Sequence, residues 1–213
     1  MPFATVPLSL LRSRVRDRAG DTGFWTDTEI DQAIREALRV YNQLTGVWKR
    51  RVVFATVANQ IWYSVPSTLV YNLRVEWNSR PLDLASLFEL DQAFPTGWEQ
   101  HTTISGGVVP TRPTMFAPAG LTLLAIWPAD AIADDSLTID GVRATPVPTF
   151  DTHPIDLSQA EHDAILKYAI HALTLKIGGT LLQGSMALWR EFLVAAADVN
   201  SRLKTSAAYR QAM

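Results

Sequence analysis

The side chains best suited to hold a metal or move a proton in this 213-residue chain are four histidines, His101, His153, His162 and His171. A zinc site needs its ligands converging on one face. His162 and His171 stand nine residues apart, roughly half a turn around a helix, so they are expected to point in opposite directions. Glu161-His162-Asp163 reads as a helix start, where acidic residues suit the positive end of the dipole and the face is solvated. With no cysteine present, disulfide scaffolds, cysteine-rich zinc sites and cysteine nucleophiles are excluded. There is no G-x-S-x-G elbow. Gly184-Ser185-Met186 falls between two helical stretches without a preceding strand or an evident base, so Ser185 reads as a loop or helix cap. Ser105-Gly106-Gly107 lacks the lysine and following helix of a phosphate loop. Asp130, Asp134, Asp135 and Asp140 lack calcium-loop spacing and read as a solvated turn. The expectation is a non-enzyme with no catalytic residues, no metal and no cofactor.

Seven tryptophans invite a stacking role toward sugars or nucleotides. Trp25 precedes a helix cap and Trp189 lies on a helical stripe. Trp62, Trp77 and Trp127 fall in strand-like runs, where core or interface packing is the better reading. Trp48 and Trp98 carry no assignment.

The elements that would position these residues begin with helices. Leu8, Leu11, Val15 and Ala19 form one stripe over Pro7 to Ala19, with Arg12 and Arg16 on one flank and Arg14 and Arg18 on the other, as solvated groups. Gly20-Asp21-Thr22-Gly23 then turns the chain. Thr26 and Glu29 are spaced as a capping box, with Trp25 and Ile30 as a hydrophobic staple. Ile30, Ala33, Ile34, Ala37, Leu38, Tyr41 and Leu44 continue one apolar face, and Gly46 ends it.

The period then changes. Val52–Val57 and Ile61–Val65 read as a hairpin closed by Pro66, followed by a strand at Tyr71–Trp77. Ser86 and Glu89 box a short helix to Ala93. Residues 95–114 read as loop, and further strands are expected at Leu121–Trp127 and Ser136–Arg143. The helical period returns after a third box at Ser158 and Glu161, breaks at Gly178-Gly179, and resumes. The last helix carries Leu182, Met186, Trp189, Leu193, Ala196 and Leu203 on one stripe and Leu188, Phe192, Ala195 and Val199 on another. A helix apolar on two faces is either deeply buried or packs on its own domain and on a partner at once, and the second stripe is the candidate inter-subunit surface.

The fold class expected is therefore α+β. N- and C-terminal helix pairs form a bundle, and a small antiparallel β region is inserted between them. Its parts are an N-terminal helical hairpin (1–50), a β-rich insertion (51–150) and C-terminal helices (151–213) ending in a flexible tail from about residue 204.

Composition restricts the partners. Residues 1–51 carry a net charge of +3, residues 52–179 carry −7 and residues 180–213 carry +2, giving −2 in all. That balance disfavours gripping nucleic acid through phosphates. The N-terminus does not have the form of a secretory signal, and no stretch is apolar for long enough to span a membrane. The chain reads as made in the cytoplasm.

The order of these signals resembles the head-to-tail adaptor (connector, or head-completion) proteins of tailed bacteriophages. The likeness rests on Leu10–Asp17 followed by Phe24–Leu38, on Trp62-Tyr63-Ser64-Val65-Pro66 with Leu73–Trp77, and on Pro154–Leu157 leading into Glu161–Ala169. It implies a structural virion protein of the neck, forming a ring, commonly twelvefold, beneath the portal protein. DNA would pass through the ring without specific binding, and a tail or stopper protein would attach to it. Arg202, Lys204, Tyr209 and Arg210 are the residues to which portal docking is assigned. Other readings are a different neck or tail-completion component, or a carbohydrate- or peptide-binding module built on the β region and its tryptophans.

Overall fold

A computed structural model describes residues 5–20, 23–94, 98–100 and 112–211, with side chains for all of these except residues 100 and 203–211. In chain order the elements are β1 (Thr5–Pro7), α1 (Leu8–Ala19), α2 (Asp27–Thr45), β2 (Lys49–Ala55), β3 (Trp62–Ser64), β4 (Leu69–Trp77), β5 (Arg80–Pro81), β6 (Asp83–Leu84) and α3 (Leu87–Ala93). There follow a 3-10 turn at Trp98–Gln100, β7 (Met115–Ala119), β8 (Leu123–Trp127), β9 (Ser136–Arg143), β10 (Pro154–Asp156), α4 (Gln159–Ile177) and α5 (Gly179–Gln211). The chain divides into a helical unit, Met1–Val47 with Thr145–Met213, and a β unit, Trp48–Ala144.

In the helical unit, local sequence explains where helices start. Thr26 and Ser158 each accept from the backbone N–H three residues on, while Glu29 and Glu161 reach back to the cap. Each box satisfies two of the amide donors that a helix start leaves open. Gly20 and Gly46 end α1 and α2 in the left-handed conformation, at φ 61° and 59°, where a side chain would be strained. Leu11, Val15, Ile30, Ile34, Ala37 and Leu38 are fully buried together with Ile165 and Ala169 of α4. A two-stranded antiparallel ribbon, β1 with β10, also belongs to this unit.

The β unit holds two four-stranded sheets, ordered β2-β9-β4-β5 and β3-β8-β7-β6. Leu137 and Ile139 of β9 and Val75 and Trp77 of β4 share one core with Tyr63, Phe116, Leu124 and Ile126 of the second sheet. On the opposite face of β8, Ala125 and Trp127 pack with Ala117, Leu90 of α3 and Trp98. Strand β8 is thus covered on both faces, which is why Leu123–Trp127 reads as an unbroken apolar run rather than an alternation.

These sheets correct the expected fold class. The structure is a mixed α+β fold with two four-stranded sheets, not a helical bundle bearing a small β insertion. The β region has its own two-sided core, and β6 pairs with β7 in parallel, so it is not wholly antiparallel. The hairpin expected from Val52–Val57 and Ile61–Val65 does not form. β2 pairs with β9 and β3 with β8, in different sheets, and only Val52 and Phe54 of β2 reach the core, as partly buried side chains. β7 begins at Met115, immediately after the region read as loop.

Candidate assembly surface and polar clusters

The last helix and what it packs on form the candidate site. Phe192 is fully buried in an aromatic cluster, with ring centroids 4.9 Å from Tyr168, 5.6 Å from Trp189 and 6.0 Å from Tyr41. Burial, followed by Glu36 at 3.2 Å, pushes the Tyr168 hydroxyl up to about 12. Burial, followed by Glu161, likewise raises Tyr41.

Of the four residues assigned to inter-subunit packing, Phe192 is therefore occupied in its own chain, and Leu188, Ala195 and Val199 are half-buried. The apolar side chains most open to solvent on α5 are Leu181, Met186, Leu193 and Val194, the last 69% exposed. Leu175 and Ile177, at the end of α4, are exposed as well.

Of the residues assigned to portal docking, Arg202 is exposed and pairs with Asp198 one turn earlier. It borders a cavity of about 250 Å³ with Tyr41, Glu161, Ala195 and Val199. The backbone of α5 continues as helix through Gln211, and the side chains of Lys204, Tyr209 and Arg210 lie outside the described residues.

Ser185 lies within α5 rather than in a loop, and it has a base the sequence did not reveal. His171 Nδ1 stands 2.9 Å from Ser185 Oγ. Thr174 Oγ1 is 2.8 Å from the same oxygen, and Leu182 O accepts from Ser185 at 2.8 Å. Ser185 is only 5% exposed, and the His171 ring stacks on Trp189 at 5.8 Å. This geometry suits a polar clasp between α4 and α5: a nucleophile needs an open approach and an oriented base.

Several of the groups read as solvated are paired or enclosed. Arg12 donates to both oxygens of Asp31 at 2.7 Å and to Asp151 at 2.6 Å. These carboxylates hold its guanidinium charged. Arg16 pairs with Asp27 at 2.7 Å and Arg18 with Asp163 at 2.6 Å. Glu29 is pulled down to about 2, first by Lys176 at 2.6 Å and then by Thr26. Glu161 and His162 are buried rather than solvated.

In the β unit, Asp130 is 1% exposed. It accepts from Thr56 at 2.7 Å, Trp77 Nε1 at 3.0 Å and the Ile132 amide at 3.1 Å, a structural anchor rather than a solvated turn. Trp77, Trp98 and Trp127 are buried and form no exposed stacking face. A groove of about 430 Å³ runs past Tyr71, Leu73, Leu84, Phe116 and Leu121. His101 and Ser105-Gly106-Gly107 lie outside the described residues. Among the described residues no group of three His, Asp or Glu side chains could hold a metal ion, and no helix is long and apolar enough to cross a membrane.

A helical unit is interrupted by a two-sheet unit, and its last helix leaves several apolar side chains exposed. The chain belongs to the SU10 adaptor protein family, whose pattern it matches over residues 7–212. That match covers both units and bears out the resemblance to phage head-to-tail adaptors. The comparison with curated proteins returned no match.

Proposed function

We propose that this chain is a head-to-tail adaptor subunit of a tailed phage. It assembles as a ring, commonly twelvefold, beneath the portal, extends the DNA channel and offers a platform to a tail or stopper protein. The observation that carries this reading is the family match across residues 7–212. Exposed Met186, Leu193 and Val194, which fall within about 100° of one another around α5, suit lateral packing in such a ring. The groove beside Leu73 and Leu84 suits the tail-side partner. The net charge of −2 suits a conduit that lets DNA slide. The role is structural rather than enzymatic, in keeping with the enclosure of Ser185, and its place is the virion neck after synthesis in the host cytoplasm.

Portal docking is assigned to the end of α5, at Arg202, Lys204, Tyr209 and Arg210. Binding to the portal encoded in the same genome, with residues 204–213 deleted, tests this. Lost binding by a folded variant supports the assignment, and unchanged binding removes it.

A further inference from the structure

One pocket holds a set of groups that the adaptor reading does not use. At the start of α4, Arg14, Asp17 and Arg18 of α1 face Gln159, His162, Asp163 and Leu166 across a cavity of about 230 Å³. His162 is 2% exposed. Its ring lies beside the backbone of Ile155, while Nε2 is buried and has no hydrogen-bond partner among the described residues. In the Nδ1–H tautomer of the neutral ring, Nε2 is an acceptor awaiting a donor. Arg14 is half-buried and makes no hydrogen bond or ion pair among the described residues. Of the two carboxylates, Asp163 is already matched by Arg18 at 2.6 Å and Lys167 at 3.4 Å, and Asp17 is exposed. What the cavity lacks is one group that is anionic toward Arg14 and also carries a proton for His162.

We propose that this pocket binds a phosphate group that retains a proton, either orthophosphate or a phosphomonoester. Its P–OH donates to His162 Nε2, and its remaining oxygens accept from Arg14 and the free nitrogens of Arg18. The choice follows from acidity. A phosphate monoanion loses its second proton near neutrality, so it carries both charge and proton there. Sulfate, a phosphodiester and an ordinary carboxylate carry charge alone, so a DNA backbone phosphate does not fit.

The test titrates the full chain near neutral pH with inorganic phosphate, methyl phosphate, sulfate and dimethyl phosphate in turn. Histidine side-chain nitrogens are followed by NMR and the thermal midpoint is recorded. Phosphate or methyl phosphate should move the His162 Nε2 resonance saturably and raise the midpoint, and the tighter of the two identifies the ligand. Sulfate and dimethyl phosphate should do neither. Arg14→Gln, on a surface helix, should still fold and bind phosphate about tenfold more weakly or worse. A silent His162, an equal response to sulfate, or unchanged affinity in Arg14→Gln would overturn the proposal.

Discussion

Replacing Phe192 with alanine separates packing within the chain from packing between subunits. Phe192 has no exposed surface, and three aromatic rings lie within 6.0 Å of its centroid. Truncating a buried phenylalanine costs about 3–5 kcal/mol, because transfer energy is lost and a cavity remains among groups that cannot collapse onto it. At roughly 2–4 °C per kcal/mol for a chain of this size, the midpoint should fall by roughly 6–20 °C. Val194→Ala, two residues on in α5 and largely exposed, is the control and should shift stability by no more than about 0.5 kcal/mol. Both variants are measured by denaturant and thermal unfolding of the isolated subunit, before any assembly. A Phe192→Ala variant within about 1 kcal/mol of the parent would refute the aromatic core as the element joining α5 to α2 and α4.

Three further outcomes follow from particular contacts. A Cβ at Gly141 would meet Tyr71 O at 2.7 Å, where β4 is bulged between Asn72 and Arg74. Gly141→Ala should therefore destabilise the β unit by about 1–3 kcal/mol, seen as a lower denaturant midpoint. Burial holds His162 below its ordinary value of 6.5, so the folded state favours the neutral ring. The unfolded chain takes up the proton first as pH falls. The stability His162 contributes is thus complete above about 6.5 and is lost as pH drops through the lower folded value, and His162→Gln should flatten that slope in denaturation curves. Val194→Asp should leave subunit stability nearly unchanged while abolishing lateral assembly, read by native mass spectrometry; ring formation at parental levels would remove Val194 from the interface.

Helix starts were legible because their signals are local. Thr26 with Glu29, Ser86 with Glu89 and Ser158 with Glu161 each need only a three-residue spacing, and all three boxes form. Strand pairing was not legible, since β2 must find β9 some eighty residues on and alternation says nothing about which strand covers which. The layering of the β unit was missed for the same reason: β8 is apolar on both faces because a second layer, with α3 and Trp98, covers it. Burial of charged and polar groups also depends on distant neighbours. Asp130 looked like a turn residue until Thr56 and Trp77 converged on it, and Ser185 lacked a base until α4 brought His171 beside it. The arginines of α1 looked like solvated flanks, but Arg12 bridges α1 to Asp31 and Asp151, partners 19 and 139 residues away.

The adaptor reading itself is tested most directly by electron microscopy of the purified chain, alone and mixed with the portal encoded beside it. A ring of this subunit stacked beneath the portal is the predicted result. A stable monomer that leaves the portal bare at high concentration would contradict it.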